Sequence, residues 1–411
     1  MKIAFISDLH LGFGKGERRE DSFNQALQAF ELALENNAEL IILSGDLFDE
    51  TIPSPETWHD AFVLFEKTKP LRKKSTKAVI EVFDRQGKKL NEFSLNEVPL
   101  LAIHGTHEFR GKDLKNALEI LKASNNLIYL HAMKARIKIN SEELIVFGLG
   151  GVPERKAKDV LNYWNPVPEK NLKNILVIHQ SLKEFLPFND EAIASISLDD
   201  LPKGFQLIVN GHLHWHKEMK LDNERMLVLP GSTVITQMKK LESEQKKGFY
   251  LFDSKTNALQ LIELPLQRTL FYKKVDLKNA SPKQVLAETN SFIESCLKEN
   301  KQALKPLIRI KLTGSLAEGF HSSDVSLADL VNEFKEKAII SIDKDFSSKD
   351  FTQRILELKR LQEKKLSVTE LGIELLEKNL DKTSFKGIDA RRLFDLLAND
   401  KIDEAIKLLK R

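Results

Sequence analysis

Five short apolar runs in the first half of the chain constrain its fold more than any other sequence feature. Each run is rich in Leu, Ile or Val and leads within a few residues into an aspartate or a histidine. Such runs are typical of strands buried on both faces of a sheet. Segments with helical apolar spacing, such as Phe23 to Leu34, lie between them, so the alternation predicts a layered α/β domain. The runs are Lys2 to Ile6, Leu40 to Leu43, Pro99 to Ile103, Ile175 to Ile178 and Gln206 to Val209.

The pattern divides the 411 residues into three parts. Further strand-like stretches extend the first domain over residues 1–264, and Pro265 follows it. Residues 265–345 combine a strand-like run from Pro306 to Leu312 with a helix-like segment from Ser281 to Leu297, which predicts a small α+β domain. Residues 346–411 are rich in Leu, Lys and Glu, which predicts a helical C-terminal tail.

Start signals for two helices lie within this tail. Ser367 to Glu370 has the sequence of a capping box, and Gly387 with Asp389 marks a turn and a second helix start. Helices this short are not stable alone in water. The tail therefore packs either on this chain or on a partner, and the sequence leaves both possibilities open.

Composition excludes several classes of protein. The formal net charge is only +3, because basic and acidic residues nearly balance. The overall charge therefore does not indicate a polyanionic partner, and any attraction to one must be local. The single cysteine, Cys296, excludes an internal disulfide and a cysteine-based zinc cluster, and favours a reducing compartment. No apolar stretch resembles a signal peptide or approaches the ~20 residues of a membrane span, so we expect a cytoplasmic protein without membrane contact.

Side chains able to bind metals follow the five runs in chain order. In open α/β sheets, sites form at the carboxyl ends of strands, so these side chains are expected to converge. Mixed aspartate and histidine ligation suits manganese, zinc or iron, and a carboxylate such as Asp46 can bridge two ions ~3.5 to 4 Å apart, as in two-metal phosphoester chemistry. The side chains are those of Asp8, His10, Asp46, Thr106, His107, Glu108, His179, His212 and His214.

The spacing of these residues suggests how pairs of ligands meet. Alternate residues of an extended segment point the same way, so Asp8 with His10, and His212 with His214, are expected to aim two ligands each at one cavity. Glycines beside the ligands are expected to let the backbone turn. These glycines are Gly45, Gly105 and Gly211.

In these motifs the chain resembles the calcineurin-type metallophosphoesterases, and more closely the SbcD-like archaeal nuclease subunit of the DNA double-strand-break repair complex. The resemblance covers nearly the whole chain. It implies a layered metallophosphoesterase sandwich with a small α+β capping domain that orients DNA. The motifs that carry it are Ile6 to Gly12, Ser44 to Phe48, Gly105 to Glu108, Val177 to Gln180 and Gly211 to His214.

The resemblance also implies a pair of metal ions, namely two Mn2+ per chain. The residues that match the ligands of one ion are Asp8, His10, Asp46 and His214. The residues that match the ligands of the other ion are Asp46, His179, His212 and Thr106. His107 matches a histidine that contacts the phosphate and protonates the leaving sugar oxygen as a general acid. The alternative is that His107 packs in the fold or supports the metal ligands from behind.

Two residues depart from the family pattern. Thr106 stands where the family usually has an asparagine that binds the second ion, and a hydroxyl is a shorter and weaker ligand. Thr106 itself, a water or Glu108 must then complete that site, which predicts looser binding of the second ion. Asp49 stands where close relatives carry a histidine, and a carboxylate there is expected to repel phosphate.

Basic residues supply candidate contacts to nucleic acid. Lys15, Arg18 and Arg19 follow His10 in a glycine-rich loop, where they could meet a DNA backbone. A solvated turn is the alternative interpretation of this loop. Two further basic clusters are expected to be mainly hydrated surface, and residues 76–96 are expected to form an extra hairpin or loop. The clusters are Arg72 to Lys74, and Lys239, Lys240, Lys246 and Lys247.

The resemblance implies a nuclease with an exonuclease activity on duplex ends and an endonuclease activity on single strands, located at the nucleoid. Its implied partners are DNA, a coiled-coil ABC-type ATPase bound through the C-terminal helices, and a second copy of the chain bound through helices of the first domain. Two alternatives remain open. Thr106 and Asp49 motivate a DNA-binding scaffold with a weakened metal site, and the same metals could serve a small-molecule phosphoesterase.

Overall fold

The computed structural model describes residues 1–111, 114–186, 196–346, 368–380, 385, 388–398 and 401–409. Within these residues the strands are β1 (Lys2–Ile6), β2 (Leu40–Ser44), β3 (Lys73–Phe83), β4 (Lys89–Glu97), β5 (Leu100–Ile103), β6 (Ile128–Tyr129), β7 (Met133–Ile139), β8 (Glu142–Leu149), β9 (Lys173–Ile178), β10 (Leu207–Asn210), β11 (Lys217–Lys220), β12 (Met226–Leu229), β13 (Gly248–Asp253), β14 (Leu259–Glu263), β15 (Leu270–Ala280), β16 (Leu307–Leu316) and β17 (Ile339–Phe346). The helices are α1 (Asp21–Glu35), α2 (Pro55–Arg72), α3 (Ala117–Ala123), α4 (Glu154–Trp164), α5 (Lys240–Ser243), α6 (Pro282–Glu299), α7 (Ala328–Phe334), α8 (Val368–Leu380), α9 (Ala390–Ala398) and α10 (Ile402–Leu409).

Two large sheets contain the predicted buried strands. The first sheet has the order β14-β13-β1-β2-β5-β6, in which β1, β2, β5 and β6 are parallel. The second has the order β11-β12-β10-β9-β8-β7-β3-β4, with β8, β9, β10 and β12 parallel. The β3–β4 hairpin at its edge is the extra hairpin expected around residues 76–96.

The two sheets pack face to face, with helices on their outer faces. Ile3 of β1 and Val177 of β9 belong to the core between the sheets. Phe30 of α1 and Phe65 of α2 pack on the outer face of the first sheet, and Leu161 of α4 packs on the outer face of the second. The predicted layered α/β sandwich is confirmed, and it brings the carboxyl ends of β1, β2, β5, β9 and β10 into one region.

A third sheet, with the order β15-β16-β17, follows the sandwich in the sequence. By compactness the chain separates into two units. One consists of Met1–Lys273, Ser291–Ile310 and Val331–Ser341, and the other of Lys274–Asn290, Lys311–Leu330 and Ile342–Arg411. The three-part division at residues 264 and 345 stays a prediction.

The tail contains short helices, as expected. Asp389 precedes α9, and its Oδ1 accepts a hydrogen bond from the backbone N of Arg392 at 3.0 Å, which is the predicted helix start. Ser367 and Gly387, which carried the other start signals, lie outside the described residues. Among the helices that the structure describes, none has the length and apolar character needed to cross a membrane.

Candidate metal centre

The side chains predicted at the strand ends form two clusters of potential metal ligands, and a third group, made of His10, Asp49 and His107, shares His10 with the first cluster. The ligand atoms within each cluster all lie within 4.8 Å of one another. The first cluster consists of Asp8, His10 and His214, and the second consists of Asp46, His179 and His212.

In the first cluster, two imidazole nitrogens face each other. His10 Nε2 lies 3.2 Å from His214 Nε2. Asp8 Oδ1 lies 3.9 Å from His10 Nε2 and 3.6 Å from His214 Nε2. All three side chains are buried, so these atoms converge in a region with little access to solvent.

The second cluster lies beside the first and includes the neighbourhood of Thr106. His179 Nε2 lies 3.1 Å from Asp46 Oδ2. Thr106 Oγ1 lies 3.5 Å from both Asp46 Oδ2 and His212 Nδ1, so its hydroxyl faces this cluster. Asp8 Oδ1 is 4.0 Å from His179 Nε2, which places Asp8 between the two clusters.

Left-handed backbone conformations direct four of the candidate ligands inward. The φ angles are 51° at Asp8, 46° at His10, 48° at Asp46 and 76° at His212. The expectation that an extended segment aims these side chains is therefore wrong, because β1 has ended before Asp8. Such conformations are uncommon outside glycine and cost on the order of 1–3 kcal/mol each. Backbone hydrogen bonds, such as Asp8 N to Gly45 O at 3.0 Å, hold the turns.

The neighbouring glycines act mainly through their small size. Of the three glycines Gly45, Gly105 and Gly211, Gly45 alone has a positive φ angle, of 99°. A Cβ atom on Gly105 would lie 2.0 Å from Asp46 Oδ1, and one on Gly211 would lie 2.5 Å from His179 Nδ1. Gly105 and Gly211 therefore let candidate ligands pack directly against the backbone, rather than letting the backbone turn as expected.

Hydrogen bonds fix the protonated nitrogen of two histidines. His179 Nδ1 lies 2.7 Å from the carbonyl oxygen of Ser44, and His10 Nδ1 lies 3.1 Å from Asp49 Oδ1. A carbonyl and a carboxylate only accept hydrogen bonds, so each Nδ1 is the donor. In the neutral ring, Nε2 then carries a lone pair that faces the cluster.

The other two histidines have partners that the sequence analysis did not identify. His214 Nδ1 lies 2.6 Å from Thr236 Oγ1. His212 Nε2 lies 2.9 Å from Ser181 Oγ, and that hydroxyl donates to Glu154. Each of the four histidines thus has one nitrogen in an outer hydrogen bond and one directed into a cluster, as in histidines that ligate metals. Ser181 follows the His179 motif in sequence, whereas no sequence signal singled out Glu154.

The electrostatics of the clusters reflect their burial. Burial opposes a charge on His179, but Asp46 and Asp8 outweigh it and raise the pKa of His179 to about 10. For Asp46, burial is likewise outweighed by the charge on His179, which lowers the pKa of the carboxyl group. Burial raises the pKa of Asp8, while burial and the charge on His179 lower the pKa of His212 to about 4. Burial therefore sets the direction of the pKa shifts of Asp8 and His212, whereas neighbouring charges set it for His179 and Asp46.

Unpaired atoms indicate that the centre fits a cation. Asp8 Oδ1 is among the buried side-chain atoms of the described residues that have no hydrogen-bond partner. Burying such an atom unpaired is unfavourable. Around it converge Asp46 Oδ2, His179 Nε2, His10 Nε2 and His214 Nε2. A divalent cation in each cluster would bind these atoms, and a mixed imidazole and carboxylate donor set suits manganese, zinc or iron.

Glu108 joins the loops that carry the ligands. Its Oε1 accepts a hydrogen bond from Phe48 N and its Oε2 accepts one from Gly105 N, both at 2.7 Å. Burial and the charge on Asp46 raise the pKa of Glu108 to about 8. Since both oxygens are engaged with the backbone, the geometry favours a positioning role over completion of the second cluster.

His107 lies at the mouth of the centre. Its backbone N donates to Asp46 Oδ1 at 2.9 Å, and its Nδ1 donates to the backbone oxygen of Asp49 at 2.5 Å. The His107 ring packs edge-on against His10, with 4.8 Å between ring centroids, and its side chain is 42% exposed. The structure therefore holds His107 between the clusters and solvent.

The candidate DNA contacts differ in their exposure to solvent and in their contacts with other side chains of the chain. Lys15 is exposed, and Arg19 is exposed with Nη2 3.3 Å from Asp60 Oδ2. Arg18 is only partly exposed, and its Nε donates to Asp21 Oδ2 at 3.3 Å. Lys15 and Arg19 are therefore better placed than Arg18 to meet a ligand.

Two residues expected in hydrated basic clusters are buried instead. Arg72 Nη1 lies 3.6 Å from Glu97 Oε1. Lys247 Nζ lies 2.8 Å from Glu242 Oε1 and donates to the carbonyl oxygen of His214, also at 2.8 Å. Each pairs with an acidic side chain, which is buried for Glu242 and 25% exposed for Glu97, and the pairing offsets the cost of removing the charge from water.

Other histidines lie outside the clusters. His104 is buried, and its Nδ1 is 2.6 Å from the hydroxyl oxygen of Tyr129. His131 packs on His104, with ring centroids 4.7 Å apart. His216 continues the alternate spacing of His212 and His214, but its backbone is bonded to Gln245 and it belongs to neither cluster.

The chain is similar in sequence to known DNA repair proteins. The chain is 27% identical to the DNA double-strand break repair protein Mre11 of Sulfolobus acidocaldarius, over 77% of this chain and 76% of that protein. It is 29% identical to the protein of the same name from Sulfurisphaera tokodaii, over 60% of this chain and 57% of that one. The double-strand break repair protein MRE11 of mouse is 28% identical over 76% of this chain, and the match spans half of the mouse protein.

The family assignment follows from the first half of the chain. Residues 1–216, which contain all the candidate ligands, match the calcineurin-like phosphoesterase family. This match covers more than half of the 411 residues and agrees with the motifs, the layered fold and the two clusters. The chain therefore belongs to the calcineurin-like phosphoesterase family.

Proposed function

We propose that this chain is a divalent-metal-dependent DNA nuclease that acts in the repair of double-strand breaks. The observation that carries the proposal is the pair of adjacent clusters, in which imidazole nitrogens and carboxylate oxygens converge within 4.8 Å. Family membership supports phosphoester hydrolysis. The printed names of the archaeal relatives support DNA break repair as the process.

The proposed cofactor is two Mn2+ ions per chain. The arrangement of two three-residue clusters around the centrally placed Asp8 supports two ions rather than one. The proposed ligands of one ion are Asp8, His10, Asp46 and His214. The proposed ligands of the other ion are Asp46, His179, His212 and Thr106.

The proposed chemistry assigns distinct tasks to the ions and to His107. Bound divalent ions supply positive charge that stabilises the phosphate during hydrolysis and makes a nucleophilic water more acidic. His107 is proposed to contact the phosphate and to donate a proton to the leaving sugar oxygen. Its Nδ1 donates to the Asp49 carbonyl, so the proton for this transfer would be carried by Nε2 of the protonated ring, which returns to the neutral form with Nδ1 still bonded. Lys15 and Arg19 are proposed to contact the DNA backbone.

We further propose that the enzyme is an exonuclease on duplex ends and an endonuclease on single strands, working with a coiled-coil ABC-type ATPase. Apolar side chains on the C-terminal helices support a partner there. Leu397 of α9 is 48% exposed, and Ile402 and Ile406 of α10 are 57% and 42% exposed. Short helices with exposed apolar side chains gain stability by docking on another protein.

A second copy of the chain is a further proposed partner. Helix α2 exposes Phe62, Val63 and Leu71, although its other face packs in the core of the sandwich. Exposed apolar residues on one helix support a homodimer through the helices of the first domain.

A nuclease assay with a matched variant tests the proposal. Labelled duplex and single-stranded DNA are incubated with Mn2+ and either the wild type or His107→Gln, with and without the ATPase. We expect the wild type to cut DNA, and the variant to lose about 10²- to 10⁴-fold in rate while still binding DNA. A wild type that binds DNA and Mn2+ but never cuts would support the scaffold alternative. Cleavage of only a small phosphodiester would support the small-molecule alternative.

A further inference from the structure

Asp49 is in hydrogen-bond contact with two histidines of the centre. Its Oδ1 accepts a hydrogen bond from His10 Nδ1 at 3.1 Å. Its backbone oxygen accepts one from His107 Nδ1 at 2.5 Å. One residue therefore contacts both a candidate ligand of the first cluster and the histidine at the mouth.

The carboxylate determines which nitrogen of His10 is available to a cation. Because Asp49 Oδ1 takes the Nδ1 proton, His10 Nε2 is left unprotonated in the neutral ring. That Nε2 is the atom 3.2 Å from His214 Nε2 and 3.9 Å from Asp8 Oδ1. A carboxylate behind a ligating histidine also makes the imidazole a stronger ligand.

The loop that carries Asp49 is held at several points. Leu11 N donates to Leu47 O at 2.8 Å, and Asp49 N donates to Leu11 O at 3.1 Å. Thr51 Oγ1 donates to His107 O at 2.7 Å. The loop is therefore held on both sides of Asp49, and the Asp49 carboxylate itself is held by its hydrogen bond with His10 Nδ1.

The direction in which the Asp49 carboxylate points argues against the expectation that it repels phosphate. Repulsion of phosphate requires that the charge faces the substrate. Instead, the Asp49 side chain is only 27% exposed and its Oδ1 points to the buried His10 ring. The departure from the family pattern at this position thus coincides with an outer hydrogen bond to a candidate ligand.

We infer that Asp49 is a positioning residue that orients His10 for binding the cation of the first cluster. The inference rests on the proposed function, because it requires that the first cluster holds a divalent ion. Substitution of the side chain leaves the backbone contact to His107 in place. Because Asp49 Oδ1 also lies 3.9 Å from His107 Nδ1, the effect of Asp49 on metal binding is measured as manganese affinity, separately from the nuclease rate.

Manganese affinity is the direct test. Metal-free wild type, Asp49→Ala, Asp49→Asn and the control Glu50→Ala are titrated with Mn2+ by calorimetry, and their unfolding temperatures are recorded without metal. Glu50 is the adjacent, exposed carboxylate and controls for the loss of a negative charge from the loop. Nuclease rates of the same variants are measured as a function of Mn2+ concentration.

We expect Asp49→Ala to weaken the binding of one ion by about 10- to 100-fold, with the second ion and the metal-free unfolding temperature unchanged. Asp49→Asn, whose amide oxygen still accepts from His10, should lie between Asp49→Ala and the wild type. Raising the Mn2+ concentration should restore the rate of Asp49→Ala, which a merely structural role would not allow.

Wild-type affinity for both ions in Asp49→Ala would overturn the inference, as would an equal loss in Glu50→Ala. If Asp49→Ala is unstable without metal, Asp49→Asn decides: weaker manganese binding at normal stability supports the inference, and wild-type binding overturns it. A wild type that binds no Mn2+ would instead overturn the proposed function, and with it this inference. The two failures are therefore distinguishable.

Discussion

His10 Nε2 and His214 Nε2 face each other at 3.2 Å, although 204 positions separate the two residues in the sequence. The outer nitrogen of each ring is engaged elsewhere, with Asp49 for His10 and with Thr236 for His214. Two imidazole nitrogens directed at each other are unfavourable unless a cation or a proton lies between them. This relationship is the strongest geometric reason to expect metal binding in the first cluster.

Binding of Mn2+ should stabilise the folded chain. A cation that binds the native state alone adds about 2.7 kcal/mol to the free energy of unfolding at a concentration 100 times its dissociation constant. Calorimetric unfolding with Mn2+ or with a chelator measures this gain. His214→Ala should show a smaller gain than the wild type, because it removes one ligand of the first cluster. An equal gain in both proteins would argue that the ion binds elsewhere.

Two different substitutions of Thr106 should change the affinity for the second ion in opposite directions. Thr106→Asn supplies a longer amide oxygen and should tighten Mn2+ binding, whereas Thr106→Val keeps the shape, removes the hydroxyl and should weaken it. The hydroxyl is 3.5 Å from both Asp46 Oδ2 and His212 Nδ1. Calorimetric titration gives the two affinities. If neither variant differs from the wild type, Thr106 does not contribute to the site.

Breaking the buried pair of Lys247 and Glu242 should destabilise the fold. Lys247→Met leaves Glu242 buried without its cation, and we expect a loss of about 3–5 kcal/mol in the free energy of unfolding. Lys246→Met is the matched control, because Lys246 is 64% exposed and pairs with Glu263 at the surface. Its effect should stay within about 0.5 kcal/mol. Urea unfolding of both variants tests the contrast, and equal losses would contradict it.

The buried His104 should make stability depend on pH. Burial and the nearby His131 lower the pKa of His104 to about 3, below the ordinary 6.5, so the unfolded chain binds a proton that the folded chain excludes. The stability that this provides is complete above pH 6.5 and is lost as the pH falls from 6.5 towards 3. In chelator, His104→Gln should therefore lose less stability than the wild type between pH 7.5 and pH 5, as measured by urea unfolding.

The surface residue His59 provides the control for that experiment. Its side chain is 76% exposed, so His59→Gln should keep the wild-type loss of stability on acidification. A His104→Gln variant with the same pH dependence as His59→Gln would show that His104 is not responsible.

Much of the sandwich could be predicted because its strands are local apolar runs. The bounds of β1 agree with the predicted run from Lys2 to Ile6, since a strand that is covered on both faces of its sheet is apolar at nearly every position. Helix α2 was not predicted, although Ser54 caps it and Pro55 begins it. Its apolar residues occupy both the buried and the exposed face, so no single amphipathic stripe marks it.

The candidate ligands could be predicted by residue type, but their geometry could not. Left-handed turns at Asp8 and His10 depend on backbone hydrogen bonds to the loop after β2, which lies far along the chain. The outer partners of the histidines, such as Thr236 for His214, also come from distant segments. Such contacts exist only after the fold has formed, and polar residues in loops give no periodic signal in the sequence.

The central claim is that two divalent ions bind at the two clusters. Anomalous X-ray diffraction from crystals grown with Mn2+ tests it most directly. We predict two anomalous peaks about 3.5–4 Å apart, one beside Asp8, His10 and His214 and the other beside Asp46, His179 and His212. Crystals in saturating Mn2+ with no peak at these side chains, or with peaks only at other surfaces, would contradict the account.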